Sequence, residues 1–293
     1  MSAAPAPPTL SAVPAPPRLA RLTITVRGLI DGWNRLGNQT AFYVKALALT
    51  WDAIARYKAE TLRLIATMSL GVGALAIIGG TVVVVTTLVM STGSFVGIQL
   101  YRSLSDIGVE ALSGFASAYI NTRFAAPLTA AIGLAATIGA GATAQMGAMR
   151  INEEIDALEV MGIRAISYLA STRVVAGVLV TVPLWCLSSL AGYLATRTLV
   201  VVAFGQAPGV YDHYFQTYLK PTDLIWSLLQ VMVTATVVML VHTYYGFNAS
   251  GGPAGVGEAV GRSVRASLVV AAFLQLAVAM AAYGVSGDFN LSG

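Results

Sequence analysis

Charge is scarce in this chain. Only 10% of its 293 residues are Asp, Glu, Lys or Arg, against roughly a quarter in a soluble domain. Apolar residues make up 56% and the mean hydropathy is +0.74. So few charges cannot cover the surface of a soluble protein of this size, so the composition points to an integral membrane protein. Cysteine is almost missing: Cys186 alone excludes an intrachain disulfide framework and a multi-cysteine metal site. It lies in an apolar run and reads as a small buried hydrophobe. No G-x-x-x-x-G-K-[ST] segment is present, so nothing here is built to cradle a nucleotide's phosphates. Neither His213 nor His242 has a set of ligand partners in the sequence, and both read as ordinary polar residues. The basic excess, 17 against 13, comes without nucleic-acid motifs or aromatic residues interleaved among basic ones.

What is present falls into three parts. Residues 1–17, Pro/Ala-rich and uncharged, read as a disordered tail rather than a signal peptide, since no basic n-region leads into an apolar run. Residues 18–63 hold eight of the Lys and Arg. Within them Leu29, Trp33, Leu36, Thr40, Tyr43, Leu47, Trp51 and Ile54 recur in steps of three or four, the spacing of an amphipathic helix lying in a membrane interface. Residues 64–293 carry the long apolar runs. A span needs about 20 apolar residues. The runs predict five, at 64–90, 124–145, 174–203, 224–245 and 266–285, with "STGSFVG" (91–97) as a turn after the first. The expected fold is therefore all-α and polytopic.

With the N-terminus placed in the cytoplasm, inside segments hold thirteen basic residues and outside segments three (Arg102, Arg123, Lys220), a positive-inside bias. Arg197 falls inside the third span, to snorkel or line a polar interior. Gly71, Gly73, Gly79 and Gly80 in the first span, and Gly133, Gly139 and Gly141 in the second, suit close helix packing. Pro127 and Pro183 are expected to kink or cap their spans. Leu75, Ile78, Val82 and Val85 would suit an aliphatic wall for a lipid path.

Against this background "MRINEEIDALEVMGIRAISYL" (149–169) stands out, with four scarce acids, Glu153, Glu154, Asp156 and Glu159, in seven positions. Wound as a helix over 151–161, it puts Ile151, Ile155 and Leu158 on one narrow face and the acids across the other. Asn152 is suited to the helix start, and Glu153 and Glu154 to its positive end. On residues alone this is either a solvated loop helix or a docking surface for a partner. No Asp or Glu lies in the core of the predicted spans, which weighs against a secondary transporter coupled to ions. A non-transporting scaffold stays open, and an intramembrane enzyme would need a polar constellation that is not seen.

"GATAQMGAMRINEEIDALEVMGIRAISYLASTRVVAG" (141–177) resembles the permease family that includes MlaE and the actinobacterial YrbE proteins, and "GFNASGGPAGVGEAVGRSVRASLVV" (246–270) resembles the family's glycine-rich segment. The resemblance implies a permease subunit of an ABC-type lipid transporter of the Mce kind, not itself an enzyme. It also implies a separate cytoplasmic ATPase that binds ATP and Mg, MCE-domain proteins outside, and no cofactor in this chain. The acidic helix would then be the coupling helix, with Glu153 and Asp156 foremost and Arg150, Glu154 and Glu159 in support. Gly251, Gly252, Gly255, Gly257 and Glu258 would form a glycine-rich cytoplasmic loop. Gln145 stands where many relatives have Glu, Arg164–Ala165–Ile166 where they have an Asn-Pro turn, and Thr172 where Pro is frequent. These departures look more like one of the paired YrbE proteins, so a heterodimer of two similar permeases in the cell membrane is expected.

Overall fold

The computed structural model describes residues 33–34, 36–70 and 81–283. The chain divides after Val44 into two units. In the first, residues 36–44 are helical and Gln39 Nε2 donates to the Tyr43 hydroxyl one turn on. The second unit contains α1 (Thr50–Arg56), α2 (Lys58–Leu70) and α3 (Thr81–Ser105), followed by the composite helix α4 (Glu110–Ile151), then α5 (Glu154–Val160) and the composite helix α6 (Ile166–Ala203). It ends with α7 (Pro208–Tyr218), α8 (Pro221–Phe247) and α9 (Gly252–Tyr283). Five of these helices, α3, α4, α6, α8 and α9, are long and apolar enough to cross a membrane. Among the described residues there is no strand. The protein is an all-α, multi-pass membrane protein.

The spans alternate in direction, so residues 106–109 and 204–220 share one end of the bundle, and 152–165 and 248–251 share the other. α6 is the central span. It packs against α2, α3, α4 and α8; Thr172, Ala176, Val180, Leu184, Ser188, Ala191 and Ala195 follow one buried stripe along it, while Leu179, Leu190 and Leu194 are left on its outer side. In lipid there is no water to drive helices together, so close approach of small residues and internal hydrogen bonds must do it. Both are found along α6. A Cβ on Gly93 of α3 would lie 2.9 Å from the Gly192 carbonyl oxygen, so the two backbones touch. Trp185 Nε1 donates to Ser227 Oγ at 2.9 Å, and Ser227 passes its own proton to the Thr122 carbonyl at 2.7 Å, tying α6 to α8 and α8 to α4. The outer faces of α3 and α9 are apolar and exposed, with Val82, Met90 and Phe95 on one and Val269, Phe273 and Met280 on the other.

Three spans have other bounds than expected, the second running over Glu110–Ile151 rather than 124–145. The first is not 64–90. Residues 64–70 belong to α2, and "STGSFVG" is the middle of α3. The turn-like composition misleads because hydroxyls in an apolar helix satisfy themselves against their own backbone. Ser91 donates to the Thr87 carbonyl at 2.9 Å and Thr92 to that of Leu88 at 2.8 Å, while Gly93 and Gly97 serve contact with α6. The last span begins at Gly252, fourteen residues before the expected start. The four first-span glycines (71, 73, 79 and 80), Leu75 and Ile78 lie outside the described residues, as does the 1–17 tail. The helical spacing of the interfacial segment is interrupted at Leu49 and Tyr57. Leu47, Trp51 and Ile54 point outward, as an apolar face lying on a bilayer would. Cys186 is exposed rather than buried, on the apolar outer surface of α6.

α4 and α6 each contain two π-helical turns, at Asn121–Ala125, Leu134–Gly139, Ile166–Ser171 and Leu199–Ala203. Pro127 follows the first of them, where its missing N–H leaves the ordinary ladder one bond short. Pro183 sits within α6.

At the end bearing α7, polar pairs close the bundle. Arg197 meets the Asp212 carboxylate through two 2.7 Å hydrogen bonds, so it neither snorkels nor lines an interior but fastens α6 to α7. Arg123 grips Asp223 through two 3.0 Å bonds and lies 4.0 Å from the Tyr119 ring centre. Tyr211 is buried and donates to Ser117 Oγ at 2.8 Å. Burial pushes its phenol up to about 12. The hydrogen bonds from Arg197 hold the Asp212 carboxyl below its ordinary value. His213 lies on α7, edge-on to Tyr214.

Three variants test this packing. A Cβ on Gly114 would sit 2.2 Å from the Tyr211 carbonyl oxygen, a backbone atom that cannot rotate away. Gly114→Ala should therefore cost about 1–3 kcal/mol and lower the unfolding midpoint in detergent. Gly141→Ala, with open space at its Cβ, should leave the midpoint unchanged or raise it, since Ala is the better helix former by up to about 1 kcal/mol. For Asp212, a depressed folded value means that the Arg197 pair stabilises the fold above the unfolded carboxyl's titration near pH ~4, and that this contribution is lost as pH falls through the lower folded value. Both partners are more than a third exposed, so no more than about 1 kcal/mol is at stake. The midpoint difference between the native protein and Asp212→Asn should be present at pH 7 and shrink as the pH falls below about 4.

Candidate coupling surface

α4 ends at Ile151 because the next residues turn. Asn152 adopts φ −88°, ψ 6°, and Glu153 adopts φ 60°, the left-handed region, before α5 begins at Glu154. Among the described residues Glu153 is the one non-glycine residue with positive φ, a conformation that costs on the order of 1–2 kcal/mol for a side chain with a Cβ. Asn152 does not cap α5 as expected. It closes α4 instead, and its side-chain amide reaches Glu154 Oε1 at 3.4 Å. α5 ends at Gly162 (φ 78°), with Gly162 N bonded to the Glu159 carbonyl and Ile163 N to that of Leu158, both at 3.0 Å. This is a Schellman ending, which needs glycine at the left-handed position.

The predicted two-faced character is present. Ile155 is fully buried, and Ile151 and Leu158 are half-buried. Glu153, Glu154, Asp156 and Glu159 are all exposed. Val160 and Met161 beside them are 88% and 65% exposed, so the outward surface is acidic with an apolar tip. Arg150 pairs with Asp156 at 2.6 Å across the turn, joining two of the predicted residues and neutralising one acid. Glu153 and Glu159 carry no such ion pair among the described residues.

Sequence reasoning missed what holds this surface in place. Asp52 of α1, only 16% exposed in its side chain, accepts from Arg56 and Arg164, each at 2.9 Å, and from Ser167 Oγ at 3.0 Å. Ser171 Oγ donates to the Ala46 carbonyl at 2.8 Å. The segment after α5 is thereby fastened to the helix preceding the spans. An open cavity of about 370 Å3 lies there, lined by Leu49, Glu159, Gly162, Ile163, Arg164 and Ile166. The one available signal was an acid, Asp52, interrupting an otherwise apolar and basic helix.

The glycine-rich segment is helix rather than loop. Gly251 (φ 89°) and Gly252 (φ 70°) make the turn, whereas Gly255, Gly257 and Glu258 lie in α9. A Cβ on Gly255 would lie 1.8 Å from the Ser250 carbonyl oxygen, so glycine there lets the turn fold back on the helix it starts. Gly147 of α4 packs against Ala249 and Val256, which places this turn at the same end as α5. Glu258 pairs weakly with Arg262 at 3.7 Å on an exposed face. Nearby, His242 is fully buried between Thr143 Oγ1 at 2.9 Å and Ser267 Oγ at 3.0 Å, against Gly139. It is a polar tie among α4, α8 and α9. The proposed lipid wall divides: Val85 is fully buried against Gly133, and Val82 is exposed on the outer face, so those two do not line one surface.

A family model described as Permease MlaE matches residues 71–281. The chain is 27% identical over 182 residues to "Protein TRIGALACTOSYLDIACYLGLYCEROL 1, chloroplastic" of Arabidopsis thaliana, covering 61% of this chain and about half, 52%, of that protein. It is 28% identical over 182 residues to a probable ABC transporter permease protein of Synechocystis sp., covering 61% and 69% of the two chains. It is 26% identical over 173 residues to another of Rickettsia bellii, covering 59% and 67%.

The left-handed junction is directly testable. Glu153→Gly should raise the unfolding midpoint by the equivalent of roughly 1 kcal/mol, and Glu153→Val, β-branched, should lower it. Equal midpoints for the three proteins would show that the residue is not held at positive φ.

Proposed function

This chain belongs to the MlaE permease family, and on that premise we propose that it is the permease subunit of an ATP-driven lipid transporter, with α5 as the helix that couples it to a separate ATPase. The observation that carries the reading is an exposed acidic helix, anchored through Ile155 and bracketed by Asp52, on the loop between two spans. Such a surface suits a basic, partly apolar groove in a partner, with Glu153 and Glu159 as its unneutralised charges and Val160 and Met161 as its apolar contact. ATP and Mg would be bound by the partner. This end of the bundle is then cytoplasmic, in accord with the positive-inside bias of the sequence.

Lipid as cargo is supported by the name of the Arabidopsis relative, which is that of a galactolipid. The sequence departures at Gln145, Arg164–Ile166 and Thr172 favour a YrbE-like subunit of an Mce system, paired with a second similar permease and with MCE-domain proteins on the opposite side of the cell membrane.

Affinity purification from the native membrane in mild detergent should recover a nucleotide-binding subunit, a second permease and MCE-domain chains. In the reconstituted complex, charge reversal by Glu153→Lys together with Glu159→Lys should lower lipid-stimulated ATP hydrolysis roughly fivefold or more while leaving the permease's unfolding midpoint in place. Full stimulation in that double variant would reject α5 as the coupling element.

A further inference from the structure

Beneath the contact between α3 and α6 lies a crevice with about 180 Å3 of empty space, nowhere wide enough to centre a water molecule, lined by Val89, Thr92, Gly93, Asn121, Ser188 and Gly192 among others. Asn121 and Ser188 are buried to 1% and 0% exposure. Each keeps one polar atom, Asn121 Oδ1 and Ser188 Oγ, without a hydrogen-bond partner among the described residues. The other hydroxyls lining the crevice are satisfied: Thr92 bonds back to Leu88 and Thr129 to Ala125. Ser189, next to Ser188, bonds back to Trp185 at 2.9 Å, but Ser188 does not.

The orientation of Asn121 is fixed by bookkeeping of protons. Thr196 Oγ1 spends its only proton on the Gly93 carbonyl, at 2.9 Å, so at 3.0 Å it can only accept from Asn121. Asn121 Nδ2 also meets Ser117 Oγ at 3.1 Å. The amide nitrogen is thus committed, and the oxygen is left facing the crevice. An orphaned buried acceptor costs about 1–3 kcal/mol, and two polar atoms at one crevice call for a small group that both donates and accepts.

The covering wall is a single helix, α3, whose Gly93 carbonyl also accepts from Thr196 Oγ1. α3 has only about a fifth of its most apolar stretch buried, and it meets α6 through its smallest residues, Gly93 on Gly192 and Gly97 on Thr196. We propose that this crevice is a water-access site: α3 parts from α6 along the Gly93–Gly192 seam, and water takes its place against Asn121 Oδ1 and Ser188 Oγ. A water bridging two such atoms has the polar partners that a buried water requires. The inference does not depend on the transport reading, and its test reads neither lipid nor ATP.

The test is the rate at which a hydrophilic methanethiosulfonate, which needs water and a thiolate, modifies a cysteine in the crevice. In a Cys186→Ala background, which removes the exposed native thiol, Ser188→Cys is compared with Thr181→Cys, a fully buried α6 position outside the crevice. Ser188→Cys should react roughly tenfold faster or more. Adding Gly93→Ala, whose Cβ would sit 2.9 Å from the Gly192 oxygen, should wedge the seam and raise that rate further. Gly97→Ala, whose Cβ would sit 3.2–3.3 Å from the Leu199 and Thr196 side chains, is a gentler wedge should Gly93→Ala fail to fold. A Ser188→Cys rate no faster than that of Thr181→Cys overturns the proposal. A fast rate that neither wedge alters overturns the seam as the route.

Discussion

The bilayer offers no water, so a polar group carried into it must find its partner inside the protein. That demand explains why so many hydroxyls in this chain do the same thing. Ser91, Thr92, Thr129, Thr181, Ser189 and Thr234 each donate to a carbonyl one turn back, which lets them sit in apolar helices without competing for neighbours. The few that reach across helices are the ones that set the arrangement. Ser227 and Trp185 tie α8 and α4 to α6, and His242 fastens α8 to α4 and α9. With polar needs met locally, glycine can govern spacing, and the close contacts of Gly93, Gly133 and Gly177 become the joints of the bundle.

Much of this was legible in the sequence, and the limits are physical. Long apolar runs gave the number of spans, because length and hydropathy are set by the membrane's thickness. The position of the first span was not legible: Ser91, Thr92 and Gly93 have turn composition, and nothing local distinguishes a turn from a helix whose hydroxyls bond backward and whose glycine meets another backbone. The same ambiguity hid the start of α9. The face of α5 bearing Ile155 was readable from spacing, but the turn before it was not, since left-handed geometry at Glu153 is imposed by tertiary structure on a residue with no preference for it. The anchoring role of Asp52 was not legible, because its three partners lie more than a hundred positions away or on its own helix.

The two ends of the bundle are finished differently. Where α7 lies, opposite charges meet pairwise, Arg197 with Asp212 and Arg123 with Asp223, and aromatic rings such as Tyr193 on Phe215 fill between them. At the α5 end, one ion pair internal to the turn leaves acids unpaired on the outside and a basic residue, Arg164, drawn inward to Asp52. The first end is closed on itself, and the second presents charge to be met by something else.

The four π-helical turns have a consequence for how such chains diverge. An ordinary helix re-registers by about 100° for each residue gained or lost, which would swing a span's packed face out of its contacts. A π turn already carries one residue more than the α ladder needs. Removing one there returns the turn to α geometry and leaves the faces on either side where they were. Length changes of a single residue within α4 and α6 can therefore be absorbed at 121–125, 134–139, 166–171 and 199–203.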